Sequence, residues 1–458
     1  MPDPFAFPFA TTGAYPTRDG NLVRWWIDGE PTLERICQAI EVAQHSVWVT
    51  VTFMWDAFQM PGGRGSALQV LERAAGRGVD VRVVFWRPDE ETAALRKNAF
   101  WGAPQHVRRL RDEAPHLSVR WDRAQPGYCQ HQKMWLIDAG HPTQVAFIGS
   151  VNLNPHSLVA PGHAGEGHNH DTCVELRGPA LADVHHNFVQ RWNEASERLE
   201  PDGTWGVHGA LSLGFPTALP AVSGTARVQI QRTVHAGRSR NPQGTVGAPD
   251  FDIAAGERTN LSQYLLAIHA ARQTIYLEHQ AFNVPEIIGG LHEALQRGVA
   301  VILVLPDTTD PALTGRSREQ SSVLREISAR LEAHRGLTLC GLAGLGNDGR
   351  RAPVHVHSKV LLVDDVWVSM GSANAHHHSM FGNAELNAAV YSPEDVRSFR
   401  VALFAEHLGV DTAALDDRAA FALFRQIASA NRHRGLNGDH RWQGLAFQVQ
   451  ADEPVSNP

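Results

Sequence analysis

The sequence predicts an α/β fold built from two similar halves. Two observations carry this: apolar, β-branched runs alternate with helical stretches, and the alternation occurs twice in the same order. In the first half a helical stretch through Ala39 and Ile40 runs into a strand over 47–51, and another ending at Arg77-Gly78-Val79 runs into a strand over 81–85. In the second, Ala267 and Ile268 lead to 274–277, and Arg297-Gly298-Val299 to 301–305. Glycine closing a helix before a β-branched run is the usual punctuation of αβ units. The repeat divides the chain into an N-terminal half over 1–205, a Gly- and Pro-rich linker over 206–225, a C-terminal half over 226–431 and a polar tail over 432–458. Residues 235–256 also read as loop. The expected architecture is a pair of α/β/α sandwiches, related by a pseudo-twofold axis, with one shared site at their interface.

Bulk properties narrow the function. A chain of 458 residues with 43% hydrophobic content fills real cores. Its net charge of -7 argues against a broad grip on nucleic acid, which needs Lys and Arg to replace phosphate counterions, so no stable nucleic-acid partner is expected. A local basic pocket stays open. Cys37, Cys129, Cys173 and Cys340 lie far apart without a Cys-x-x-Cys pair, which leaves packed thiols or a disulfide. Residues 1–13 carry no basic residue before their apolar ones, and no stretch reaches the length of a membrane span. A soluble, cytoplasmic monomer with at most peripheral membrane contact is expected.

The chemistry lies in a motif that each half carries once. His131, Lys133 and Asp138 recur as His357, Lys359 and Asp364; each set is followed by Gly-Ser-x-Asn, at Gly149, Ser150 and Asn152 and at Gly371, Ser372 and Asn374. A lone His-x-Lys is a weak signal, but six matching positions at corresponding places of a repeat are a strong one. Residues two apart on a strand share a face, so each His sits beside its Lys. Asp138 and Asp364 lie seven positions from their His, an odd number, and read as structural partners of a loop amide or a cation. Glycine at the end of the next strand permits a tight turn, and Ser and Asn read as neutral donors to a polar ligand, with a plain turn role open for the serines. Two ammonium groups, four such donors and two imidazoles suit a phosphate with two non-bridging oxygens.

These residues resemble the phospholipase D superfamily, whose signature is the duplicated His-x-Lys-x4-Asp with Gly-Ser-x-Asn. The resemblance runs from about Val23 to about Val410. The stretch Ile275-Tyr276-Leu277-Glu278-His279-Gln280, and His170-Asp171-Thr172 followed by Arg191-Trp192-Asn193, look like its phospholipid-cleaving branch. In the first of these the family more often has Asn before Gln, and the gap from Asp138 to Gly149 is longer than that from Asp364 to Gly371, as an extended hairpin would make it. The resemblance implies that Asp171 and Glu385 orient the catalytic histidines and raise their pKa values. It further implies that His131 attacks phosphorus while His357 protonates the leaving alcohol, with no metal and no cofactor. A phospholipid substrate with water or an alcohol as acceptor is then expected; a nuclease or a cardiolipin synthase-like transferase is the alternative, as is a binding module without activity, against which both motifs being intact argues.

Other residues have plainer readings. His376, His377 and His378, and His163, His168 and His170, match no standard zinc spacing and read as solvated loop residues near the pocket mouth. His355 shares a strand face with His357 and is placed to line the site. Trp25, Trp26 and Trp55 border loops and read as core or as lipid contacts, and Pro61-Gly62-Gly63-Arg64-Gly65 as a rim.

Overall fold

The computed structural model describes residues 7–11, 13, 15–88, 99–165, 168–196, 204–205, 211–306 and 335–449. The alternating runs form two mixed sheets of matching strand order. In the first half the order is Arg18–Ile27, Thr172–Arg177, Val145–Gly149, Met134–Ile137, Ser46–Val51, Asp80–Trp86, Ser118–Asp122. The second half repeats it with Ala226–Val234, Glu385–Tyr391, Trp367–Gly371, Lys359–Val363, Thr274–His279, Ala300–Val304, Leu337–Leu345. In both, the last three strands run parallel to one another and the others pair antiparallel. The halves are stitched together where Arg18 and Asn21 pair with Val228 and Ala226, and where His355 and Val356 pair with Asn169 and His170.

Side-chain alternation builds the layers. Met134 and Leu136 enter a central core shared by both halves, and Trp135 and Ile137 enter the outer core beneath helices Gly29–Val42 and Ala67–Ala75. Val360 and Leu362 against Leu361 and Val363 repeat the division. Helices Leu181–Asn193 and Pro393–Leu408 supply Val184, Phe188, Phe399 and Leu403 to the central layer. The two sheets therefore sandwich one continuous core, which fixes their strand ends relative to each other.

The expected tail needs correction. Helix Asp417–Leu436 runs past residue 432, and Ala446–Gln448 forms a strand on Leu337–Leu345, because Ala446 and Leu445 are apolar and buried there. Residues 450–458 lie outside the described residues. Residues 211–225 of the linker form no helix or strand, and just before it Thr204–Trp205, at the end of the first half, pairs with Ser118–Asp122; residues 206–210 lie outside the description. All four cysteines are free thiols. Trp25 packs on Phe399 with its Nε1–H donated to the Asp395 carbonyl, half-buried against the central core.

Candidate active site

Asp138 and Asp364 fasten the scaffold. Asp138 Oδ1 accepts the backbone N–H groups of Gln44, His45 and Ser46 at 3.0, 2.7 and 3.2 Å. Asp364 receives those of Arg272, Gln273 and Thr274, each at 2.8 Å. Each ties a helix end to the start of the next strand, and both adopt φ 53, a left-handed conformation that Asp tolerates better than most residues. The motif glycines serve close approach, which replaces the expected tight turn. A Cβ at Gly149 would stand 2.5 Å from the Thr172 carbonyl oxygen, and one at Gly371 2.3 Å from that of Leu386.

His131 and His357 are each held by the opposite half. The N–H of His131 donates to the Ala384 carbonyl and that of His357 to the His170 carbonyl, both at 2.9 Å. In each case the next residue is the carboxylate. Glu385 thereby meets His131 Nδ1 at 2.9 Å, and Asp171 meets His357 Nδ1 at 2.6 Å. Each dyad leaves the imidazole Nε2 for chemistry, and Asn152 Nδ2 stands 3.3 Å from that of His357. The N–H and carboxylate partners come from the other half, so neither half is a complete site.

The serines do something other than expected. Ser150 Oγ donates to Asp171 at 2.5 Å and Ser372 Oγ to Glu385 at 2.6 Å, and both are fully buried. Ser379 and Asn383 also donate to Glu385. Both serines thereby hold carboxylates in place, and the other neutral donors of the motif, Asn152 and Asn374, are 7% and 8% exposed.

The lysines are arranged alike. Lys133 Nζ donates to the His131 carbonyl at 2.9 Å and to Thr52 Oγ1 at 3.4 Å; Lys359 Nζ donates to the His357 carbonyl and to Gln280 Oε1 at 3.4 Å. Burial and the Lys133 charge bring Lys359 down to about 7. Each carboxylate pushes its histidine's pKa up, as expected, but does not set the net direction. Burial, reinforced by both ammonium groups, outweighs the carboxylates and lowers His131 to about 4 and His357 to about 3. Burial alone would raise the two carboxylates, but their imidazole partners and the hydroxyl donors hold both low. The resting site is thus two neutral imidazoles donating Nδ1–H to two carboxylates, beside Lys133 and a Lys359 ammonium that gives up its proton near neutral pH.

Residues not foreseen from the motif complete it. Gln132 and Ser358, the middle residues of each His-x-Lys, point into the central layer. Gln132 donates to the Glu385 carbonyl at 3.2 Å, and Ser358 to Glu278 at 2.6 Å. Glu278 in turn lies 3.2 Å from His170 Nε2 and 2.7 Å from His407 Nε2. The signal for it was a carboxylate inside an apolar strand, which is rare unless partnered. His163 and His170 are buried, which corrects their reading as solvated; they have carboxylate partners in place of water. Asp28, His163, His170 and Glu406, and likewise His170, Glu278 and His407, bring ligand atoms within 4.8 Å of one another and could hold a divalent cation, a donor set that the absence of sequence spacing concealed. His377 and His378 are exposed, and His355 stands beside the site with Nε2 3.3 Å from Gln280.

A family profile described as "Cardiolipin synthase, PLD-like domain" matches residues 36–192 and 264–406, taking in both motifs. The chain belongs to the phospholipase D-like family. Members of this family are phosphodiesterases or phosphatidyltransferases. It is 25% identical to phospholipase D alpha 2 of Oryza sativa subsp. japonica, covering 90% of this chain and 66% of the relative. To cardiolipin synthase A of Pseudomonas entomophila it is 27% identical, over 82% and 66%. The chain thus spans just under two thirds of the length of these relatives. A solved phosphatidylserine synthase of Haemophilus influenzae shares the fold, with TM-score 0.57, 14% identity and coverage of 83% and 84%. Among the described residues, no helix of this phospholipase D-like chain is long and apolar enough to cross a membrane.

Proposed function

We propose that the chain cleaves the head-group phosphodiester of a glycerophospholipid, delivering the phosphatidyl group to water or an alcohol through a phosphohistidine. The observation that supports this most is the crossed pair of dyads, His131 with Glu385 and His357 with Asp171. One Nε2 is needed to attack phosphorus and another to move a proton at the leaving oxygen. In this reading His131 Nε2 forms the P–N bond as the bond from phosphorus to the head-group oxygen breaks, and His357 gives that oxygen its proton. His357 then takes a proton from water or alcohol, whose oxygen attacks phosphorus and releases His131.

A neutral His357 must gain a proton before it can give one. The bound phosphate supplies the reason: its negative charge offsets Lys133 and Lys359, two of the causes that depress the imidazole. Asn152 and Asn374 donate to the non-bridging oxygens. The transferase alternative draws on the cardiolipin synthase relative, about as similar as the plant phospholipase D. Lipid reaches the site by peripheral contact.

The test is head-group release from vesicles of phosphatidylcholine, phosphatidylethanolamine and phosphatidylglycerol, with single- and double-stranded DNA in parallel and a primary alcohol added to one set. Release of free head group, with part of the product appearing as phosphatidyl alcohol, is expected. Cleavage of DNA without lipid turnover would overturn the lipid reading, and strict hydrolysis at high alcohol would remove the transfer branch.

A further inference from the structure

We propose that His279 is a positioning residue for Asn374, holding the second Gly-Ser-x-Asn segment through the backbone N–H of Ala375. The inference rests on the phosphodiesterase reading and adds a residue to its site. It comes from a difference between the halves. In the first, the residue after the motif Asn, Leu153, donates its N–H to the Phe53 carbonyl at 3.1 Å, and its own carbonyl accepts from Trp55. In the second, the carbonyl of the corresponding Ala375 accepts from Asn283 at 2.9 Å, but its N–H donates to the His279 side chain, at Nδ1 and 3.2 Å. The first half needs no side-chain acceptor. By the strand registers, Glu278 opposite Val360 corresponds to Thr50 opposite Met134, so Val51 takes the place of His279 there and offers only carbon.

The acceptor is suited to its place. An N–H donated to Nδ1 requires the ring proton on Nε2, a neutral tautomer. Burial and the Lys359 charge, directly opposite in the register, lower His279 to about 3, so the acceptor persists throughout the working range. His279 and Ala375 are both fully buried, and losing the acceptor would leave an orphaned N–H that can recover a partner only by moving the segment. The residue that moves with it is Asn374, one position earlier and 8% exposed. A side-chain amide carries its Oδ1 the same number of bonds from Cα as an imidazole carries Nδ1. Asn is therefore the substitution that preserves the bond, and Gln, one bond longer, is not.

The experiment is a double-mutant cycle on the full chain with a chromogenic aryl phosphodiester as substrate, alongside phosphatidylcholine vesicles. His279→Leu is expected to lower kcat/KM about 10- to 100-fold, as a displaced site residue does, and Asn374→Ala to do the same. The double variant should lie within about threefold of the worse single one, because both changes remove one interaction. His279→Asn should stay within about threefold of wild type with an unchanged pH profile. If the Leu variant does not fold, His279→Gln replaces it in the cycle. Multiplying losses, or an Asn variant as impaired as the Leu variant, would overturn the proposal. Wild-type activity on the aryl diester without lipid turnover would refute the lipid reading while leaving the cycle intact; wild-type inactivity on both would refute the positioning role along with the enzyme reading it rests on.

Discussion

Replacing Asp171 by Asn separates the two histidines by function. The substitution removes a buried charge 2.6 Å from His357 Nδ1 and can turn an N–H toward that atom, imposing the wrong tautomer. In a comparably buried His–carboxylate pair this costs about 10⁴ in kcat, or ~5 kcal/mol of barrier. The loss should depend on the leaving group. For phosphatidylcholine, whose alkoxide needs a proton, turnover should fall ~10³- to 10⁴-fold. An aryl phosphodiester needs no proton on departure, so its first step should slow only about tenfold, well within the contribution of a general acid. Breakdown of the adduct still requires His357 as base. The variant should therefore release about one equivalent of aryl alcohol in a burst, leaving His131 phosphorylated. Glu385→Gln should abolish the burst, because it disables the nucleophile. Stopped-flow absorbance and mass spectrometry of quenched protein read both outcomes. A burst in Glu385→Gln with none in Asp171→Asn would reverse the roles, and no adduct in either variant or in quenched wild type would refute covalent catalysis.

Further predictions come from the same geometry. With Lys359 near 7, kcat/KM should fall above about pH 7 as that charge is lost; Lys359→Arg, which cannot deprotonate, should remove this limb, and a limb unchanged in the Arg variant would assign it to another group. His131 and His357 are held at about 4 and 3 in the fold, against ~6.5 unfolded, so the unfolded chain takes up protons first. Stability should therefore fall as pH drops from about 6.5 toward 4, with a shallower slope of Tm against pH for His357→Asn; equal slopes would refute buried neutral imidazoles. A Cβ at Gly382 would lie 2.0 Å from the Tyr128 ring, which packs the segment carrying His131 onto the other half. Gly382→Ala should cost about 1–3 kcal/mol of stability and about tenfold in kcat, and adding Tyr128→Ala should restore part of both; no recovery would remove Tyr128 as the cause. Exhaustive chelation should leave the initial rate unchanged, since Lys133 and Lys359 supply the charge at phosphate. Loss restored by one divalent ion would contradict this and direct attention to Asp28, His163, His170 and Glu406.

The sequence by itself determined the duplicated α/β plan and the four principal residues, His131, Lys133, His357 and Lys359. Strand alternation is a local property, so the shared face of each His and Lys, and the opposed orientation of Asp138 and Asp364, could be read from spacing alone. The strands came out for the same reason: β-branched apolar runs have few other ways to be buried.

Only the tertiary structure decided which carboxylate serves which histidine. The crossing of Asp171 to His357 and of Glu385 to His131 arises from backbone bonds between segments far apart in sequence, His357 to His170 and His131 to Ala384. No spacing rule records it. The same holds for Ser150 and Ser372, whose residue type fitted a ligand donor equally well, and for His163 and His170, whose lack of metal-like spacing suggested solvent. The direction of the histidine pKa shifts was settled by burial. A carboxylate beside an imidazole raises its pKa in water, but enclosure by two sheets, together with two ammonium groups converging from opposite halves, reverses the sign. Desolvation depends on what surrounds a group in three dimensions, and a linear chain carries that only through the fold it makes.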